Sequence, residues 1–296
     1  MYYYDEIKRR IIDNEIYIRA KDNSKEKNTV ITYFEIGKLL YEAGSKYGES
    51  IIEKYSEKLV VDVGKKYNKR TLFRMRQFYI LFNDQNVSPL VTQLSWSHYV
   101  QLLPLKDYNK IIYYINISKK YNLSKRQLAE KIKNKEYERL DDTTKKKLIL
   151  NKESEVSDFI KNPILIKNIY DYNEISEKIL KRLILEDLDS FMKELGNGFS
   201  YIGNEYKIKI GDRYNYIDVL LYNIEFNCYV VVELKITELK KEHIGQIQMY
   251  MNYIDKNVKR IDHGKTIGII ICKKNNCFVM EYCSDNRIFS REYTFV

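Results

Sequence analysis

Two apolar runs, 216–222 and 228–235, constrain this chain more than any other stretch. In NYIDVLLYNIEFNCYVVVELK (residues 215–235) both runs are rich in β-branched and aromatic residues, and a short polar connection joins them. That is the pattern of a β-hairpin. Charges interrupt it at Asp218 in the first run and at Glu233 and Lys235 in the second. A turn around 224–227 sets Tyr222 opposite Tyr229 and Asp218 opposite Glu233, with opposed Cβ atoms roughly 4.5–5.5 Å apart. Glu233 and Lys235 are two residues apart and share a strand face. Opposed carboxylates on strands suited to burial are costly unless something neutralises them. A divalent cation is the simplest answer, and oxygen donors without a nearby His favour Mg²⁺ or Mn²⁺ over zinc. The plainer alternative is a solvated hairpin end with a Glu–Lys pair.

A length of 296 residues favours two domains. With 44% hydrophobic and 31% charged residues the chain has apolar mass for real cores, and no apolar run approaches a membrane span. The start, MYYYDEIKRR, is not a signal peptide, so a cytoplasmic protein without membrane contact is expected. The formal net charge of +10 points to a polyanionic partner, most economically nucleic acid. A Lys- and Tyr-rich compositional bias, with 28 Tyr, would also raise it. Cys228, Cys272, Cys277 and Cys283 form no C-x-x-C pair, lie near no His at zinc spacing and do not fit an iron–sulfur pattern. Reduced structural thiols are expected.

The first half reads as helical. Segments 5–21 and 28–47 show apolar residues at three- and four-residue steps, with Gly44 and Gly48 near the second stop. A helix over 51–63, a break at Gly64 and a second helix from Lys69 give a helix-turn-helix outline. Its second helix would present Lys69, Arg70, Arg74 and Arg76 to nucleic acid; an ordinary helical hairpin with a solvated basic face fits equally. Segment 87–105 holds the single Trp and a capped helix over 99–103, where His98 reads as a core or capping residue rather than a catalytic base. A second two-helix unit spans 107–135, capped at Ser124, with Arg126, Lys131 and Lys133 on its outer side. The charge-dense segment 135–157 reads as a linker, placing domains at 1–155 and 156–296. Beyond it come one amphipathic helix over 172–195, strands over 199–203 and 206–210, the hairpin, a helix over 240–254 and a buried strand over 266–272.

That order of elements, with Asp218 and then Glu233-Leu234-Lys235 on the next strand, resembles the PDDEXK, restriction-endonuclease-like superfamily. Gln246 and Tyr250 match the Q-x-x-x-Y element of its RecB-like branch. The phrases TQLSWSHY, FMKELGNGFSYIG, YIDVLLYN, VVVELK, GQIQMY and IGIIICK resemble the YhcG-type nuclease-domain proteins of bacteria, over roughly residues 29–282. The resemblance implies an α+β chain: an all-α N-terminal domain, then an α/β domain with a mixed central sheet. It implies a Mg²⁺-dependent phosphodiesterase acting on DNA, with Mn²⁺ able to substitute. Asp218, Glu233 and the Leu234 carbonyl would hold the metal, and Lys235 would orient or deprotonate the attacking water. Gln246 and Tyr250 would steady Lys235 or the nucleic-acid backbone. Glu186 is the candidate for a further metal ligand from the first core helix, with Glu194 its rival. Ile217 stands where the superfamily name has Pro. A branched-DNA resolvase, an RNA-directed nuclease, a non-catalytic DNA-binding or assembly component, and a homodimer stay open at this point.

Overall fold

The computed structural model describes residues 2–19, 25–83, 94–149, 155–283 and 285–296. The start of the 87–105 stretch and the last part of the expected helix over 5–21 lie outside the described residues, as does 150–154 of the expected linker. Contacts divide the chain into two compact units, Met1–Tyr137 and Glu138–Val296.

The first unit is helical among the described residues: α1 (Tyr2–Arg19), α2 (Lys25–Tyr47), α3 (Ser50–Asp62), α4 (Lys69–Phe82), α5 (Trp96–Leu102), α6 (Tyr108–Lys120) and α7 (Lys125–Lys133). Helix α2 buries Val30, Tyr33, Ile36, Leu40 and Ala43, a stripe at helical spacing, and α4 answers with Leu72, Met75, Phe78 and Phe82. The two helices approach so closely at Gly37 that a Cβ there would stand 2.2 Å from the Met75 carbonyl oxygen. Asn68 caps α4 by accepting the Thr71 N–H, Asp107 caps α6, and Ser124 closes a capping box with Gln127 on α7. Trp96 belongs to the core: its ring lies 5.3 Å from Phe78 and 5.0 Å from Tyr33, centroid to centroid. His98 accepts at Nδ1 from Ser95 and donates from Nε2 to the Leu123 carbonyl, a structural role.

The second unit contains α8 (Asp142–Ile149), β1 (Ile164–Ile166), α9 (Glu177–Glu186), α10 (Leu188–Leu195), β2 (Phe199–Ile210), β3 (Arg213–Asn223), β4 (Cys228–Glu238), α11 (Lys241–Asn257), β5 (Ile267–Lys274), α12 (Cys277–Cys283) and β6 (Ile288–Phe295). The strands form one mixed sheet in the order β1-β6-β5-β4-β3-β2. β2, β3 and β4 are antiparallel neighbours, and β4, β5, β6 and β1 run parallel. Helices α9 and α10 cover one face, over Val219, Leu221, Val230, Val232 and Leu234. Helix α11 covers the other, over Leu220, Val231 and Ile270. Burial on both faces explains why 228–235 and 266–272 read as unbroken apolar runs rather than alternating ones. Gly268 lets α11 sit down on β5, since a Cβ there would meet Met251 Sδ at 2.7 Å.

Several boundaries differ from the sequence reading. The helix expected over 172–195 is two helices, because Asp187 ends α9 and caps α10 by accepting the Ser190 N–H. The two strand runs over 199–210 are one strand with an irregularity between Tyr201 and Gly203. The segment expected as a linker contributes to the second unit from Glu138 onwards, earlier than residue 155. Arg139 there pairs with buried Glu194, and Asp141 with buried Arg291 at 2.8 Å. No helix of the described residues is long and apolar enough to cross a membrane.

The close approach at Gly37 sets a test. Gly37→Ala adds about 1 kcal/mol of helix propensity but overpacks the α2–α4 contact, which typically costs about 1–3 kcal/mol. Thermal unfolding of the variant is expected to fall below wild type; an unchanged or higher melting temperature would mean the helices stand further apart.

Candidate active site

The hairpin turns where expected. Tyr222 pairs with Tyr229, and the β3–β4 ladder runs to Val219 opposite Val232. One step further stand Asp218 and Glu233, and there the main-chain ladder gives way to a side chain. The Asp218 carboxylate accepts the Leu234 N–H at 2.9 Å. On an extended strand the N–H and C=O of one residue face the same neighbour, so the Leu234 carbonyl lies on the Asp218 side as well. The end of the ladder brings two carboxylates and the Leu234 carbonyl to one end of the sheet.

Glu233 is 3% exposed, and its Oε2 has no hydrogen-bond partner. Its Oε1 accepts from Lys235 Nζ at 2.9 Å. Burial, then the neighbouring Asp218 charge, push the Glu233 carboxyl up to about 7 against the opposing pull of Lys235. Burial alone would lower the Lys235 ammonium, but Glu233 beside it outweighs that and leaves it raised. Lys235 is therefore a firmly charged donor in this state, not the depressed amine that a proton-accepting role would need. Asp218 is held by Lys181 Nζ of α9 at 2.6 Å; burial opposes that ammonium's charge, and Asp218 more than offsets it.

Among the described residues no three His, Cys, Asp or Glu side chains converge into a ready metal cage. A Mg²⁺ site needs less, because the ion keeps several waters and uses one or two carboxylates plus substrate oxygens. Asp218, the orphaned Glu233 oxygen and the Leu234 carbonyl fit that donor set.

Helix α11 brings Gln246 and Tyr250 together: the Gln246 amide donates to the Tyr250 hydroxyl at 2.9 Å. One turn earlier, His243 accepts the Lys240 N–H at Nδ1, which leaves Nε2 to carry the proton. Burial and the Lys235 and Lys240 ammonium groups hold this imidazole below its ordinary value. Three residues that sequence reasoning passed over thus join the cluster: Lys181, His243 and Glu177, whose charge acts on Glu233, Lys235 and His243. The available signal was Glu177 and Lys181 four residues apart, on one face of the first core helix.

The structure does not bring Glu186 to this group. Glu186 lies nine residues beyond Glu177, about 13.5 Å along α9 and half a turn round it. It pairs instead with Arg182 at 2.8 Å. Glu194 is buried against Arg139 and accepts the Leu165 N–H, a structural role. Of the basic residues expected to meet nucleic acid, Arg70 and Arg126 are exposed and Arg74 half-buried. Lys69 pairs with Glu53, and Arg76 is held bidentate by Glu49.

Residues 157–295 match the family described as the YhcG PDDEXK nuclease domain, and residues 6–139 match the DUF1016 N-terminal domain. The chain is 24% identical over 307 residues to the Escherichia coli (strain K12) protein named "Putative nuclease YhcG", covering 88% of this chain and 82% of that one. Two solved structures are similar at a TM-score of 0.30: a repair endonuclease from Pyrococcus abyssi, at 22% identity, and an EndoMS–double-stranded DNA complex, at 21%. Each likeness covers 41% of this chain, which spans about half of those chains, 48% and 47%. With a DUF1016 N-terminal domain followed by a PDDEXK nuclease domain, the chain belongs to the YhcG-type family of nuclease-domain proteins.

Proposed function

We propose that this protein is a divalent-metal-dependent DNA nuclease that hydrolyses phosphodiester bonds in the cytoplasm, with Mg²⁺ as the cofactor and Mn²⁺ able to replace it. The observation that carries the reading is the buried Glu233 carboxylate, one oxygen unpartnered, facing Asp218 at the end of the β3–β4 ladder. Asp218, Glu233 and the Leu234 carbonyl would hold the ion. When bound, it would supply an activated water and neutralise charge on the phosphate. Lys235, paired with Glu233 at 2.9 Å, would donate hydrogen bonds to the attacking water or a phosphate oxygen. Gln246 and Tyr250 buttress Lys235, His243 presents Nε2–H beside it, and Glu177 and Lys181 balance charge around the two carboxylates. The net charge of +10 and the exposed Arg70 and Arg126 support DNA docking by the helical half, as its helix-turn-helix outline suggests.

Cleavage of linear, circular, single-stranded and four-way-junction DNA, with Mg²⁺ or EDTA, tests the chemistry. Asp218→Ala, Glu233→Ala and Lys235→Ala are each expected to lower the rate by about 10²–10³-fold or more, and EDTA to abolish it. Glu177→Ala should cost about 10–100-fold, as supporting residues around a metal site do. Unchanged cutting by the Asp218 and Glu233 variants would place the chemistry elsewhere.

Glu233 also sets a pH signature. Its folded-state pKa lies above the unfolded value, so the folded protein holds the extra proton between about pH 4.5 and 7. Stability from this group is present at low pH and is lost as pH rises through about 7. In metal-free buffer Glu233→Gln, a mimic of the protonated acid, should melt a few degrees above wild type at pH 8 and lose that advantage at pH 5. The same or a larger advantage at pH 5 would contradict the raised pKa.

Docking by the helical half is tested by salt. Arg70→Ala with Arg126→Ala should weaken duplex DNA binding and reduce the slope of log K against log salt by about 0.9 per lost phosphate contact. Arg76→Ala should lower the melting temperature instead, because it removes the partner of Glu49. A double variant that keeps both affinity and slope would remove these residues from the interface.

A further inference from the structure

The β2–β3 hairpin turns tightly at Gly211 and Asp212, with Ile210 opposite Arg213. Gly211 takes φ +58° there, as a two-residue hairpin turn requires. β2 is an edge strand of the sheet. The inner face of the ribbon packs Tyr206, Ile208 and Ile217 into the core under α11. Its outer face is different. Lys207 pairs with Tyr216 and Lys209 with Tyr214, so each rung offers one ammonium and one phenol ring. Tyr214 is 55% exposed and Tyr216 52%, and Lys207 Nζ lies 3.9 Å from the Tyr214 ring centroid.

Tyr214 and Tyr216 stand on one side of β3, and Lys209 and Lys207 on the same side of β2. Alternation ends at Glu205, whose φ is +48°, and a side chain continues the row from there. Lys181 touches both Asp218 and Glu205, which fixes the inner end of the row. Beyond that acidic rung the row is basic and aromatic, with Arg213 and Asp212 at the tip. Rungs are two residues apart, about 6.8 Å. That is twice the 3.4 Å step of a stacked strand. Bases meeting successive rings must therefore be unstacked, each against an aromatic face, and bases paired in a duplex have no such face to offer.

We propose that the outer face of the β2–β3 ribbon is a binding track for single-stranded DNA, stacking bases on Tyr214 and Tyr216 and holding phosphates on Lys207 and Lys209 as the strand runs towards Asp218. The proposal rests on the nuclease reading and narrows its substrate to DNA with an unpaired strand at the site. Exposed rings carry the stacking and the ammonium groups carry the charge, the division used by sequence-tolerant single-strand binders. Lysines on an edge strand also discourage edge-to-edge pairing, and Tyr–Lys rungs stabilise a ribbon. That role alone would leave DNA affinity untouched.

The test is fluorescence anisotropy of full-length protein with labelled oligothymidylate in EDTA, so that no cleavage enters. Tyr214→Ala with Tyr216→Ala should bind at least about tenfold more weakly with an unchanged salt slope, while the Tyr→Phe pair binds as wild type. Lys207→Ala with Lys209→Ala should lower the slope by about 1.4, two single-strand phosphates. Wild-type affinity in a folded Tyr→Ala pair, or equal loss on a fully paired hairpin duplex, would overturn the proposal. If the Tyr→Ala pair does not fold, the lysine slope decides, and an unchanged slope overturns it. Unchanged affinity in an enzyme that still cuts would count against the ribbon alone; weakened binding in a protein that never cuts would count against the nuclease reading.

Discussion

Two carboxylates meet where a sheet stops pairing, and the rest of the catalytic unit is arranged around that meeting. Asp218 and Glu233 sit at the end of the β3–β4 ladder, one half-buried and one almost wholly so. Like charges at that depth repel strongly, because little water lies between them. The fold answers locally with Lys235 on Glu233 and Lys181 on Asp218, each from its own element. It answers also with backbone, since Asp218 takes the Leu234 N–H that a continuing ladder would have used. A sheet built only for stability would place a valine at either position. Two acids there, neutralised from both sides, break the local rules of a stable sheet, as functional sites do.

How the site is held follows from the sheet. β4 and β5 are parallel and covered on both faces, so the backbone under Glu233 and Lys235 is among the most enclosed of the chain. Helix α11 closes on β5 over Gly268, and along it Gln246 donates to the Tyr250 hydroxyl. Helix α9 approaches from the other face and delivers Glu177 and Lys181 from its first turns. The side chains of the cluster thus come from β3, β4, α9 and α11, with α9 packed into one core and α11 into the other.

What was legible in the sequence follows the same division. The hairpin register could be read because alternation, turn length and the Tyr222–Tyr229 pair all agree. Asp218, Glu233 and Lys235 could be read because a charge inside an apolar run is conspicuous. Glu177 and Lys181 could not, since an acid and a lysine four residues apart on a helix are also what any solvated face shows. Glu186 is a candidate on the helix expected to run unbroken over 172–195, and the break at Asp187 removes that premise. β1 and β6 escaped for another reason: one is three residues long, and the other carries Ser290, Arg291 and Glu292 through its middle. Arg291 is buried there with Asp141 and the Ile160 carbonyl among its partners, and partners so distant in sequence leave no local pattern.

On the nuclease proposal, the charge balance sets how the cluster would change when a metal binds. Asp218, Glu233 and Glu177 bring three negative charges and Lys181 and Lys235 two positive ones, so the group is nearly neutral as it stands. A divalent cation would tip the balance positive and weaken the hold of each carboxylate on its lysine. Lys235 would then be free to turn from Glu233 towards an arriving phosphate, and Lys181 from Asp218 towards Glu205 or the strand on the ribbon. On the nuclease proposal, the lysines that keep one buried and one half-buried acid tolerable would be the ones released to meet substrate. Such dual use would suit flexible ammonium side chains better than arginines, whose planar fork would lock each carboxylate in a bidentate pair.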